Sequence, residues 1–292
     1  MRKRLVSKLI PVLSLALWPL TSVWAQIYPF NATGVSLGQW HTLVRDVEAT
    51  KKFWIELGGA PVKIDGTDVI KFPGVLIFLA PGSPTAGSRG STVNHVGLGS
   101  QNVQKLFAKL QADGIKVDPA TLRKSPLNSQ HLFDVNSPDG LMIEVTEEAG
   151  VDPYPKLPVG VPIESNHMHL FVAQPARKDM QSWYVKMFGG EPSERRGEYI
   201  VSLPGVKFFR IAPCGSEYSA CPETGSAQTK GRALDHIGFE VKNLKAFCKK
   251  LEANGLKFDQ PYSKSRHKSF ASAELTDPWG TSIELTEGLN RF

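Results

Sequence analysis

A glycine followed by a strand-like run recurs four times along this chain: Gly74-Val-Leu-Ile-Phe78, Gly140-Leu-Met-Ile-Glu144, Gly205-Val-Lys-Phe-Phe209 and Gly280-Thr-Ser-Ile-Glu284. Each copy closes a segment with one grammar: a short opening strand with a His in or near it, a helix, and a hairpin that ends on the glycine and its strand. Internal repetition of this kind decides the architecture before any single residue does. The helices carry the apolar stripe of an element packed on a sheet. Val103, Leu106, Phe107 and Leu110 stand at i, i+3, i+4 and i+7, and so do Leu244, Phe247, Cys248 and Leu251, and Met180, Trp183, Tyr184 and Met187. Val47, Phe53, Trp54 and Leu57 make a looser version. Asp46, Asn102 and Asn243 stand where N-caps belong, Pro175 suits a first turn, and Gly58, Gly114, Gly189 and Gly255 suit helix ends.

The order of segments is A-B-A-B. The special position four residues after the glycine is Phe in the A segments and Glu in the B segments. This divides the chain into a first half, 35–148, and a second, 166–288, joined by a stretch (149–165) with Pro153, Pro155, Pro158 and Pro162, which predicts a stiff linker.

Each half repeats one set of polar residues. His41 on an opening strand, His95 on the next opening strand and Glu144 on a closing strand recur as His169, His236 and Glu284. The spacing supports the match. His95 and Glu144 are 49 residues apart and His236 and Glu284 are 48 apart, while His95 and His236 each precede their N-cap Asn by seven. A lone carboxylate in a strand such as Leu141-Met-Ile-Glu144-Val145 needs a partner, which an Arg or a backbone amide can supply. Recurrence of all three residues in both halves points instead to a metal ion, one per half. Two imidazoles and a carboxylate suit Fe, Mn, Zn, Co or Ni and leave positions open for substrate.

Other polar residues divide differently. Asp134 and Glu274 each lie ten residues before the Glu of their half, an even offset that places them on the same sheet face. They are the candidates for a general base; the alternative is a solvated strand residue. His167 shares a strand face with His169 and could be a fourth ligand or a donor to one; because the first half has Gln39 there, it is read as a donor to a ligand or a surface residue. His131 and His267 have no counterparts and are read as surface residues.

The first 25 residues stand apart. Arg2, Lys3, Arg4 and Lys8 precede a mostly apolar run, Leu9 to Val23, and Val23-Trp-Ala25 ends on a small residue. This is the layout of a secretory leader cut after Ala25, and it predicts an exported protein, periplasmic or secreted, with no membrane segment after cleavage. The leader holds four of the 34 basic residues, so the remaining chain carries 30 against 28 acidic ones, a net charge of +2. With no basic stripe interleaved with aromatics, nucleic acid is excluded as the expected partner. Of three cysteines, Cys214 and Cys221 bracket a polar loop and can form a disulfide in an oxidising compartment, and Cys248 is a small core residue of its helix.

The motifs Trp40-His41-Thr-Leu-Val, Asn94-His95-Val-Gly-Leu, Ser137-Pro-Asp-Gly140, Met168-His169-Leu-Phe-Val, Asp235-His236-Ile-Gly-Phe and Asp277-Pro-Trp-Gly280 resemble those of the vicinal oxygen chelate superfamily. That group includes glyoxalase I, bleomycin-binding proteins and extradiol dioxygenases, and the resemblance spans nearly all of residues 35–288. It implies an α+β fold of four βαβββ units paired into two cupped mixed-sheet domains. It places the metal ligands at His41, His95 and Glu144, and at His169, His236 and Glu284. Glyoxalase I usually adds a Glu on the closing strand of the A segment, where this chain has Phe78 or Phe209. The dioxygenases typically have a Tyr where this chain has Asp134 and Glu274. The expected function is a divalent-metal-dependent enzyme that chelates a small oxygen-rich substrate, dioxygenase-like by resemblance. The alternatives are a glyoxalase-type lyase or isomerase, and a non-catalytic binding protein of the bleomycin-resistance type.

Overall fold

The computed structural model describes residues 27–126, 128–148, 150 and 160–292. The expected leader and most of the Pro-rich stretch lie outside them. Four units follow one another with the same element order. Unit 1 comprises β1 (Val35–Val44), α1 (Val47–Glu56), β2 (Ala60–Ile64), β3 (Thr67–Phe72) and β4 (Val75–Pro81). Unit 2 comprises β5 (Val93–Ser100), α2 (Val103–Ala112), β6 (Arg123–Lys124), β7 (His131–Asn136) and β8 (Met142–Glu147). Unit 3 comprises β9 (Ile163–Val172), α3 (Arg177–Phe188), β10 (Glu191–Arg195), β11 (Glu198–Leu203) and β12 (Val206–Pro213). Unit 4 comprises β13 (Leu234–Val241), α4 (Leu244–Ala253), β14 (Gln260–Ser263), β15 (Ala271–Thr276) and β16 (Ser282–Glu287). The fold is α+β.

The local signals act as their chemistry requires. The Asp46, Asn102 and Asn243 side chains accept from the backbone N–H groups of Ala49, Lys105 and Ala246, satisfying donors that a helix start leaves open. The four repeated glycines all turn with φ between 85° and 96°, where a side chain would be strained.

The units do not pair by halves. One eight-stranded sheet runs β14-β15-β16-β13-β1-β4-β3-β2 and so joins units 1 and 4; the other runs β10-β11-β12-β9-β5-β8-β7-β6 and joins units 2 and 3. We call them the outer and inner sheets. Their central pairs, β1 with β13 and β5 with β9, are antiparallel. The division at 35–148 and 166–288 is therefore not the division of the sheets. Internal similarity identifies a unit, but every unit offers the same opening-strand edge, and similarity does not say which partner takes it.

The apolar core is continuous across both sheets. Trp40 and Phe239 from the outer sheet and Val96, Met168 and Phe209 from the inner one belong to a single buried cluster. Phe188 of α3 lies 4.5 Å from the Phe239 ring across the units. Alternation along each strand then sends the intervening polar side chains to the opposite faces. Each sheet therefore presents one polar centre on its far side.

Candidate metal centres

At the outer centre, His41 of β1 lies directly across from His236 of β13. The His41 Nδ1 and His236 Nε2 atoms are 2.7 Å apart. Glu284 of β16 reaches to 3.6 Å from His236 Nε2. At the inner centre, His95 of β5 lies across from His169 of β9. His167 Nε2 is 3.4 Å from Glu144 Oε1. His41, His236 and Glu284 form one group with ligand atoms all within 4.8 Å of one another, and His95, Glu144 and His167 form another. The expected sets are regrouped: His41 joins unit 4 rather than His95 and Glu144, and His169 joins unit 2 rather than His236 and Glu284.

Three of the imidazoles are oriented by one device. His95 Nδ1 lies 3.1 Å from Asn94 Oδ1, His167 Nδ1 lies 2.9 Å from Asn166 Oδ1, and His236 Nδ1 lies 2.7 Å from Asp235 Oδ1. An Nδ1–H that donates to its preceding neighbour leaves the Nε2 lone pair facing the centre, as a metal ligand requires. His167 Nε2 and both ring nitrogens of His169 have no hydrogen-bond partner among the described residues, and both side chains are buried. Buried unpaired nitrogens around a buried carboxylate are unstable company without an ion. The donor set fits a divalent metal.

The electrostatics agree. Burial lowers His95 to about 3, and burial with the neighbouring His236 lowers His41 to about 3, so both are neutral and ready as ligands. Burial also holds His169 well below its usual range, with Arg210 adding to the effect. Burial would lift Glu144, but His167, His95 and Arg210 outweigh it and hold the carboxyl well below the carboxylate range. His236 differs: burial opposes its charge, yet Asp235 and Glu284 raise it to about 9.

Asp134 stands across the hairpin from Glu144, and Glu274 from Glu284, as the even offset predicts. Arg123 lies 2.9 Å from Asp134 and 3.7 Å from Glu144. Burial and the Glu144 charge raise Asp134 to about 6, although Arg123 opposes them. Lys230 lies 3.8 Å from Glu274.

Three residues differ from their reading in the sequence. His167 is fully buried within the inner group, and Gln39, its counterpart, hydrogen-bonds Glu284 in the outer one. His267, read as a surface residue, stacks on Phe270 and brings Nε2 to 3.4 Å from Glu284. Phe209 does not face the inner centre. The β11–β12 register slips by one between Val201 and Leu203, which turns Phe209 into the core and Arg210 into register with His169. A one-residue bulge exchanges the two faces of a strand, and repeat counting cannot see it. In unit 1 the register is regular and Phe78 does stand beside His41.

The His-x-Gly motifs of units 2 and 4 now have a structural reason. A Cβ on Gly97 would lie 2.1 Å from His167 Nδ1, and one on Gly238 would lie 2.3 Å from Gln39 Cγ. Only glycine lets those side chains cross to the carboxylate.

A cavity of about 930 Å³ opens onto the inner centre, lined by Glu144, His169, Phe171, Arg123, Arg210 and Tyr218 among others. A second, of about 570 Å³, adjoins it past Tyr218 and includes Asp134. Tyr218 is a site residue the sequence did not single out. It lies between Cys214 and Cys221, which form a disulfide, and that close pair of cysteines was the available signal. Cys248 is buried in α4, as its stripe predicts.

Residues 165–285 match the model of the Glyoxalase/Bleomycin resistance protein/Dioxygenase superfamily. Solved structures extend the likeness in fold to both sheets. A point mutant of glyoxalase I from Zea mays is 15% identical, with a TM-score of 0.64 over 88% of this chain and 94% of its own. A putative dioxygenase from Bacillus subtilis is 14% identical, with a TM-score of 0.62 over 90% of this chain and 86% of its own. No curated protein sequence matches the chain. At these identities the likeness establishes the fold alone, and the chemistry has to come from the centres themselves.

Proposed function

We propose that the protein is a divalent-metal-dependent enzyme acting on a small, oxygen-rich substrate, with the inner centre as its main working site. One observation carries this reading: buried His95, His167 and Glu144 converge with His169 beside them, its ring nitrogens without a hydrogen-bond partner among the described residues, and Glu144 and His169 open onto a cavity of about 930 Å³. A divalent ion held there by His95, Glu144 and His167, with His169 as a further nitrogen, would supply Lewis-acid stabilisation of charge developing on chelated substrate oxygens. His41, His236 and Glu284 would hold a second ion at the outer centre.

The chain's own residues do the rest. Asn94 and Asn166 fix the rotation and tautomer of His95 and His167. Arg210, held by Glu198 at 2.6 Å, and Arg123 place positive charge on the cavity wall, where an anionic oxygen of the substrate is favoured. Asp134, raised to about 6, is tuned for proton transfer near neutral pH at the inner centre, and Glu274 takes that place at the outer one. Where the resemblance to glyoxalase I calls for a carboxylate on the closing strand, the two centres have Phe78 and Arg210. This favours dioxygenase-like chemistry over a glyoxalase-type isomerisation or lyase reaction. The basic, apolar leader and the disulfide support an exported location.

The test is metal analysis of the purified protein and of Glu144→Gln and Glu284→Gln, with a panel of catechols, dicarbonyls and epoxides. Each substitution is expected to remove one bound ion, and Glu144→Gln to abolish most of the turnover. A protein that takes up no Fe, Mn, Zn, Co or Ni, or whose ligand binding survives both changes intact, would instead be a metal-free binding module.

A further inference from the structure

The connection between β4 and β5 in unit 1 is eleven residues long (82–92), whereas the equivalent one between β12 and β13 in unit 3 is twenty (214–233). The longer loop holds both disulfide cysteines and Tyr218; the shorter has no aromatic residue at all. The extra length is spent on the inner centre. Tyr218 Oη lies 3.4 Å from His95 Nε2 and 3.4 Å from Glu144 Oε2, the atoms that face the centre. Its ring packs edge-on to His95 and beside Phe171, and the residue, 36% exposed, lines both cavities.

The loop is built to hold that position. The Cys214–Cys221 disulfide closes it, and Gly215 N–H donates to the Cys221 carbonyl at 3.0 Å. Unit 2 and the connection before it grip the loop from the other side. Arg89 donates to the Glu217 carbonyl at 3.0 Å, and Gly90 leaves room where a Cβ would stand 2.6 Å from the Ala220 carbonyl. Asn94 donates from Nδ2 to the Ser219 carbonyl at 2.6 Å while its Oδ1 holds His95 Nδ1. One side chain thus locks the loop and the imidazole together. At 3.4 Å the hydroxyl is loosely engaged by His95 and Glu144, so its proton is available to a better acceptor placed between them.

We propose that Tyr218 is the ligand-selecting hydroxyl of the inner centre: it donates a hydrogen bond to an oxygen of a chelating ligand, and the Cys214–Cys221 disulfide fixes it there. This rests on the inner centre holding a divalent ion. It supplies from an inserted loop the phenol that strand position 134, an Asp, lacks.

The experiment uses the mature protein in a Glu284→Gln background, so that the inner centre alone takes up Co²⁺. Acetohydroxamate, a chelator with two adjacent oxygens, is then titrated in and followed by the visible Co²⁺ absorption. Tyr218→Phe keeps the ring and its packing. It is expected to take up Co²⁺ as the parent does and to bind acetohydroxamate about tenfold more weakly, the loss of one hydrogen bond to a charged acceptor. A Cys214→Ser/Cys221→Ser variant is expected to show most of the same loss, and to add nothing when combined with Tyr218→Phe. Unaltered acetohydroxamate affinity in Tyr218→Phe overturns the proposal. So does loss of Co²⁺ itself in that variant, which would make the phenol a prop for the ligands. A disulfide variant that binds like the parent overturns the role given to the disulfide. Co²⁺ uptake that is unmoved by adding Glu144→Gln defeats the metal reading first, and this proposal with it.

Discussion

At the outer centre Gln39 hydrogen-bonds Glu284 and Phe78 stands beside His41; at the inner centre the same two places hold His167 and Arg210. The strand framework is common to both: the paired His residues, the carboxylate beside a glycine, and the second carboxylate across the hairpin recur. The neighbours do not. The outer centre encloses its carboxylate with an amide, His267 and aromatic rings, and keeps His236 raised to about 9 between two acids. The inner centre has an imidazole in place of that amide, two arginines, a loop-borne phenol and a cavity of about 930 Å³. One frame can therefore carry two different duties, and the residues around the ligands set them. On the proposed reading the outer centre offers the weaker ligand set, and the inner one, beside its cavity, offers the stronger set and room for an exchangeable ligand.

Exchanging the differing side chains is the strongest way to break that contrast. His167→Gln makes the inner centre resemble the outer and is expected to weaken metal binding there by roughly ten- to a hundredfold. Gln39→His is expected to strengthen the outer centre in the opposite direction. Isothermal titration of each protein with Zn²⁺ checks both, and equal affinities throughout would erase the distinction. Gly97→Ala and Gly238→Ala sharpen it next. Each Cβ meets a crossing side chain, but the His167 ring is rigid and fully buried while the Gln39 chain can bend. Gly97→Ala is expected to cost about 2–3 kcal/mol in urea unfolding and Gly238→Ala about 1 kcal/mol. The smallest effect is a control that should show no contrast. Asn102→Ala and Asn243→Ala each remove one helix cap, one per sheet, and each is expected to cost about 1 kcal/mol.

Much of this was legible in the sequence. The strand–helix–hairpin units, the three side-chain caps and the six repeated His and Glu positions follow from local periodicity and spacing, which depend on short-range geometry. What escaped depends on long-range geometry. The choice of partner unit depends on which edges meet in three dimensions, so His41 was grouped with His95 when it meets His236. The exchange of Phe209 for Arg210 depends on one bulge. His167 reads as a donor rather than a ligand because its counterpart is Gln39, although both side chains reach the carboxylate of their centre. Tyr218 has no counterpart at all, and a search for repetition is blind to an insertion.

The nested pairing of the sheets has a consequence for the order of assembly. The ribosome completes units 2 and 3 consecutively, so the inner sheet has all its strands by Pro213. The outer sheet cannot close until β16 has emerged, more than two hundred residues after β1. Until β13 (Leu234–Val241) has emerged, the edge of β1 that belongs to it has no partner, and an open strand edge invites pairing with another chain. The first unit to be synthesised is thus the last to be finished, and it is the part of the nascent protein most in need of protection.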